Sequence, residues 1–278
     1  MYKIRVLRKL GWTSILLILA TLFFLFPIYW MVTSSFKEMT IAIRIPPEWF
    51  PLTPTLSNFV TLFGGQYPVW RWLFNSIFTA VATALLVVLV SSMAAYSLAK
   101  IRFKSSKPLF GMMIGAMTLP NTLLIIPLFV IFSSHNLNNT YLGLILPVLG
   151  WPYGVFLLRQ FMMSLPSGII EAGKIDGCTE INVFLRVVIP LSKPGLATLG
   201  IFTFVRSWND YVWQLVMLSS REMYTMPLAV RIISQMEFST NYGVAMTGAL
   251  VATLPVLILF LAFQKYFTKG ITMGAVKG

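Results

Sequence analysis

The chain holds only eight carboxylates, one histidine and one cysteine, the groups most used as metal ligands and among the commonest for acid–base chemistry. Three of the acids, Glu171, Asp176 and Glu180, fall within the twenty residues Glu171–Pro190, a polar block set between apolar stretches. Such a block in a chain this poor in charge reads as a docking element for a soluble partner. The second cluster is Arg206-Ser-Trp-Asn-Asp210. Arg206 and Asp210 stand four apart and can pair on one helix face. A charge at mid-membrane costs roughly 2.5–3.5 kcal/mol on insertion scales, so such residues usually face a polar pathway or a neighbouring helix. Both readings stay open for Arg206, Asn209 and Asp210: lining a pathway, or pairing to hold a neighbouring chain. Asn75 and Asn121 are weaker pathway candidates. Cys178 alone excludes an internal disulfide and a multi-cysteine metal site; it reads as a small residue in a helical turn. His135, beside Asn136, Asn138 and Asn139, reads as a solvated loop residue, and without a second histidine a mixed metal site is hard to assemble.

The elements that must position these groups are membrane spans. The chain is 57% hydrophobic and only 10% charged, with a mean hydropathy of +0.81. Apolar runs of about twenty residues recur, each able to cross roughly 30 Å of hydrocarbon as a helix. They fall near 12–36, 73–99, 109–133, 141–163, 195–218 and 242–267, in one transmembrane domain. Six spans put both termini on one side, and Lys and Arg identify that side. Lys3, Arg5, Arg8 and Lys9, then Lys100, Arg102, Lys104 and Lys107, then Arg159, Lys174, Arg186 and Lys193, then Lys265, Lys269 and Lys277 all lie on the same face. Lys37, Arg44, Arg71, Arg206, Arg221 and Arg231 remain for the spans and the opposite face. The expected topology therefore has both termini, the 268–278 tail and the 164–194 loop in the cytoplasm. The net charge of +13 is this positive-inside bias, and nucleic acid is not an expected partner. The basic N-terminus followed by an apolar run imitates a signal peptide, but the run is too long and is read as an uncleaved first helix. Prolines 27, 120, 127, 147, 152 and 255 inside the spans are expected as bends that neighbouring helices accommodate. The external segment Lys37–Arg71 is too rich in proline to be one helix.

Within the polar block, Pro166 suits the first turn of a short helix, and Ile169, Ile170, Ala172 and Gly173 give that helix an apolar side. Gly177 breaks it. Thr179 is placed to cap a second helix, in which Phe184, Val187 and Val188 recur at helical spacing. Pro190 and Pro194 then interrupt the approach to the next span. The expectation is a helix–glycine–helix hairpin too short and polar to insert.

This block resembles the signature loop of the permeases of ABC importers, Glu-Ala-Ala-x3-Gly-x9-Ile-x-Leu-Pro. Glu171, Ala172, Gly177 and Pro190 match in spacing, while Gly173, Val187 and Ile189 replace Ala, Ile and Leu. Phe26–Trp30, Asn75-Ser76, Ala95-Tyr96, Trp208–Asp210 and the tail Gln264–Gly278 extend the likeness to the carbohydrate-importer type, including the six-span permease of maltose transporters. The resemblance implies an all-α polytopic protein with the six-helix type I importer fold, in a bacterial or archaeal plasma membrane among lipid. It implies as partners a sister permease, two ATPase subunits and an extracytoplasmic sugar-binding protein. Glu171, Ala172, Gly173, Lys174, Asp176 and Gly177 would dock the ATPase, with Thr179, Phe184 and Pro190 shaping the loop. The solute would be a di- or oligosaccharide, with another polar solute as the alternative.

No phosphate-binding Gly-x4-Gly-Lys-Ser/Thr motif occurs, so ATP and Mg are expected on the partner and no cofactor on this chain. Reversing a 1:99 conformational ratio takes about 5.5 kcal/mol of differential binding, which has to enter through a partner. The hairpin is the only sizeable cytoplasmic element available to receive it. An ion-coupled transporter is disfavoured because no inverted repeat is visible. A membrane-embedded enzyme is disfavoured because Glu222 and Glu237 are isolated.

Overall fold

The computed structural model describes residues 11–38, 45–101, 103–237 and 241–275, from 265 onward in backbone only. Lys3, Arg5, Arg8, Lys9, Arg44, Arg102, Lys277, the side chains of Lys265 and Lys269 and the last three residues of the tail lie outside the described residues. Among the described residues the chain is all-helical. In order come α1 (Trp12–Ser35), α2 (Ser57–Phe63), α3 (Val69–Lys100), α4 (Ser106–Met117), α5 (Ile125–Ser134), α6 (Tyr141–Ile145), α7 (Pro152–Met163) and α8 (Ser167–Ile175). They are followed by α9 (Glu180–Val183), α10 (Lys193–Trp208), α11 (Val212–Met217), α12 (Met226–Glu237) and α13 (Tyr242–Ala275).

Three stretches, α1, α3 and the Tyr242–Gln264 part of α13, are individually long and apolar enough to cross a membrane. Counting each bent helix pair as one span raises the number to as many as six. Proline and capping chemistry cause the bends. Pro120, extended at φ −61° and ψ 125°, cannot donate to the preceding turn and pushes its neighbour out of helical geometry. The stretch read as one span over 109–133 is therefore turned through 94° between α4 and the 3-10 turn Asn121–Leu124 that opens α5. Pro152 starts α7 after an extended Trp151, and the 141–163 stretch is bent by 48°. The 195–218 stretch is also not one helix. It stops at Trp208, and α11 begins at Val212 because Asp210 turns its carboxylate onto the Trp213 N–H (3.3 Å) instead of extending the helix. Pro27 and Pro255, in contrast, lie inside continuous helices.

Two compact units divide the fold. One holds the described residues up to Val69 with Ala229–Leu254. Here the buried Asn58 amide donates to Ser35 O (3.0 Å) and Lys37 O (2.8 Å), fastening α2 to the end of α1. Tyr67 OH donates to Glu237 (2.5 Å). Lys37 is buried against Trp30, its ammonium 4.0 Å from the ring centroid. Loss of hydration lowers its pKa from the ordinary lysine value, and the charge of Glu48 opposes that shift.

The other unit holds Trp70–Leu228 and the described residues from Pro255 on. Its core joins Val87, Ala95 and Tyr96 of α3 with Val155, Leu158 and Met162 of α7 and Leu199 of α10. Ile170, Val183, Phe184 and Val188 of the polar block complete the same core. Burying apolar side chains of this size contributes about 1.5–3 kcal/mol each. The block is thus packed into the unit rather than trailing from it.

Candidate functional site

The block Glu171–Pro190 folds as a hairpin. Helix α8 ends in a Schellman motif: Gly177 N–H donates to Lys174 O (3.0 Å) and Cys178 N–H to Gly173 O (3.0 Å). Gly177 has φ +81°, a left-handed conformation natural to glycine. Two residues on, Thr179 Oγ1 accepts from Asn182 N (3.3 Å) and opens α9. Pro166 stands at the cap position of α8, one residue before the helix. From α9 the chain runs through a π-helical turn, Phe184–Val188, into Ile189–Leu191. Pro190 lies in that last turn, and the segment meets α10 at 78°. A wide turn leading into a proline fits a residue that has no N–H for the ladder.

The hairpin has two faces. Inward go Ile170, Val183, Phe184 and Val188, with Gly173 half-buried near Val183. Outward go Glu171, Ala172, Lys174, Asp176 and Gly177, all exposed. Ile175 accompanies them at 86% exposure and Ile181 at 70%. Uncovered isoleucines beside acids form a mixed apolar and negative surface of the kind that partners use.

One connection was not legible in the sequence. Tyr96, buried near the end of α3, donates its O–H to Glu180 Oε2 (2.7 Å), and Lys174 Nζ reaches Glu180 Oε1 (2.5 Å). The Lys174 contact first and the Tyr96 contact second hold the Glu180 carboxyl below the usual range, so it is ionised at neutral pH. Tyr96 and Glu180 are 84 positions apart, with no local pattern linking them. Lys100 Nζ donates to Leu165 O (2.8 Å) and Arg159 Nε to Leu98 O (3.2 Å), tying the same end of α3 to its neighbours.

The proposed pathway residues do not converge. Asn75 is fully buried, and its amide donates to Glu222 O (2.7 Å) and Tyr224 O (2.9 Å) while accepting from Tyr141 OH (2.6 Å). With both N–H groups engaged it is a strut rather than a contact for a solute. Asn75→Ala would leave the Glu222 and Tyr224 carbonyls and the Tyr141 phenol, all part-buried, without their partner, at up to about 1–3 kcal/mol per orphaned group. The expected result is a clear drop in the melting temperature and yield of the purified protein, read by thermal denaturation, with Asn75→Asp similarly damaging because it lacks the donors. Asn121 is exposed in the 3-10 turn at the sharpest bend. Arg206 and Asp210 do not share a helix face, since α10 ends between them. Arg206 stacks over Trp151, 4.4 Å from the ring centroid, and Asp210, one position before the α11 cap, accepts from the Trp213 N–H, while the two charges still attract each other. Arg206 and Asn209 do line one cleft of about 570 Å³, with Phe202, Val205, Val256 and Phe260. Its walls are mainly apolar. Among the described residues no group of three or more His, Cys, Asp or Glu side chains could hold a metal ion.

The combination of bent apolar spans and a core-packed polar hairpin has close parallels. Residues 87–273 match the family model described as binding-protein-dependent transport system inner membrane component. The chain is 35% identical over 255 residues to the arabinooligosaccharides transport system permease protein AraQ of Halalkalibacterium halodurans, covering 91% of each. It is 36% identical over 257 residues to the sulfoquinovosyl glycerol transport system permease protein SmoH of Agrobacterium fabrum, covering 91% of this chain and 89% of that one. In fold it is similar, at a TM-score of 0.78 and 23% identity, to a chain of a bacterial ABC transporter involved in the import of the acidic polysaccharide alginate, covering 92% of this chain and 95% of the other. The type I ABC-importer permease architecture is shared along almost the whole length. This multi-pass chain belongs to the inner membrane components of binding-protein-dependent transport systems.

Proposed function

We propose that this chain forms half of the translocation pathway of an ATP-driven importer for a di- or oligosaccharide. The α8–α9 hairpin is its contact with the ATPase. Both termini and the hairpin lie in the cytoplasm, on the side where Lys and Arg concentrate. A sister permease supplies the other half, two ATPase subunits hold ATP and Mg, and an extracytoplasmic binding protein delivers the solute. This chain carries no cofactor and no catalytic residue. The observation that carries the docking role is the two-faced hairpin: one face lies in the core of the spans, and the other leaves Glu171, Asp176 and Ile175 uncovered. A push on the outer face therefore reaches α3, α7 and α10 directly. The named specificities of the relatives support a sugar as the solute.

The docking role predicts that Glu171→Lys, a charge reversal on an exposed residue, leaves folding intact but lowers recovery of the ATPase subunits with the purified permease. Like charges facing across an interface cost several kcal/mol, so the loss should be about tenfold or more. Undiminished co-purification would remove the docking role. Uptake of a panel of labelled mono-, di- and oligosaccharides into vesicles carrying the full complex tests the solute class. Binding-protein-dependent uptake that responds to none of them would shift the assignment to another polar solute.

A further inference from the structure

We propose that the Tyr96–Glu180 hydrogen bond is the positioning joint through which movement of the hairpin is passed to the span α3. This inference rests on the docking reading above and adds the point at which force leaves the hairpin. The hairpin meets α3 through shared apolar packing and through a side-chain hydrogen bond, and Lys100 Nζ holds Leu165 O just ahead of α8. The ring of Phe184 packs on that of Tyr96, centroids 5.3 Å apart and tilted by 38°. Apolar packing of this kind is non-directional and allows one surface to slide over another. The second contact is directional: the phenol of Tyr96, 4% exposed, meets the ionised carboxylate of Glu180 at 2.7 Å. A charge-assisted hydrogen bond is about twice as strong as a neutral one, and its geometry fixes register.

The placement of the two residues suits a joint. Glu180 is the first residue of α9, directly after the Thr179 cap, so its backbone is fixed by the turn. The other carboxylate oxygen takes Lys174 of α8, so one side chain links both arms of the hairpin to the span. Lys174 and Glu180 are 41% and 48% exposed at their side chains, and exposed ion pairs are worth little. The bond to Tyr96 is part-buried, with its phenol end enclosed, and is the better shielded of the two bonds to Glu180. Displacement of α8 by a bound ATPase would draw Glu180 with it, and α3 would follow at Tyr96, within the last turns before Lys100.

The test uses the complete complex in proteoliposomes, with the labelled sugar taken up best in the panel above. Tyr96→Phe removes only the O–H and retains the ring against Phe184. The expected outcome is that ATPase subunits still co-purify and ATP is still hydrolysed, while sugar taken up per ATP falls by about tenfold, the scale of one hydrogen bond to a charged group. Glu180→Gln, which keeps an acceptor for the phenol, should fall between Tyr96→Phe and the unaltered protein. An unchanged ratio in Tyr96→Phe would overturn the joint, as would a parallel fall in uptake, hydrolysis and melting temperature, which marks a purely structural role. Glu171→Lys separates the two ideas. If it loses the ATPase while Tyr96→Phe keeps the ratio, only the joint fails; if it keeps the ATPase, the docking reading itself fails.

Discussion

Gly177→Val is expected to abolish uptake by the assembled complex and to weaken ATPase recovery, although a side chain at Gly177 would touch nothing. No atom lies within 4 Å of where a Cβ would sit. Within this chain the cost is conformational. At φ +81° an L-residue pays roughly 1–2 kcal/mol, and a β-branched one more. Since 1.4 kcal/mol is a factor of ten, valine should reduce the population of the correctly turned hairpin by more than tenfold. The two Schellman bonds, from Gly177 N–H to Lys174 O and from Cys178 N–H to Gly173 O, would be lost with it. Substitutions at this position should rank by tolerance of the left-handed region rather than by volume: Gly best, then Asn, then Ala, then Val. Uptake and ATPase co-purification measured across the four would show it. A ranking by size, with alanine better than asparagine, would contradict the turn as the reason for this glycine.

Gly154→Ala is expected to destabilise the span bundle by about 1–3 kcal/mol, the usual cost of overpacking. Helices α3 and α7 approach so closely that a Cβ at Gly154 would meet Ser91 Oγ at 2.6 Å and Leu199 Cδ1 at 3.3 Å. The Ser91 hydroxyl is buried and makes no hydrogen bond. Removing it sacrifices no interaction, so Ser91→Ala alone should be neutral or mildly stabilising. In the double variant the nearest Ser91 atom becomes its Cβ, at 3.4 Å, an ordinary contact. Ser91→Ala should therefore restore most of what Gly154→Ala loses, a non-additivity expected of touching residues. Melting curves of the four purified proteins would measure it. Additive effects would mean that the strain is relieved elsewhere.

The local chemistry of the hairpin was legible because it is encoded within a few residues. Gly177 announces a left-handed turn, Thr179 a cap, and the Phe184–Val188 spacing a buried face; each of these acts over one or two helical turns. The existence of apolar spans was legible for the same reason, since hydrophobicity sums along the chain. The breaks were less so. Six prolines invite bends, yet Pro120 turns the chain by 94° whereas Pro27 and Pro255 sit within unbroken helices.

The pathway residues show the limit most clearly. The i, i+4 spacing of Arg206 and Asp210 allowed a pair on one helix; the helix ends at Trp208, and the two charges still attract each other while Arg206 stacks on Trp151 and Asp210 accepts from the Trp213 N–H. Asn75, one of the weaker pathway candidates in the sequence, is satisfied by residues 66 to 149 positions away. By itself the sequence determined that this is a polytopic membrane chain of the importer-permease kind with a glycine-turned polar hairpin. Only the tertiary structure decided that the hairpin is built into the core of the spans and bonded to Tyr96. Hydropathy, caps and turns are local, whereas the partner of a buried polar group is chosen by which distant backbone and side chains the fold brings within 3 Å of it.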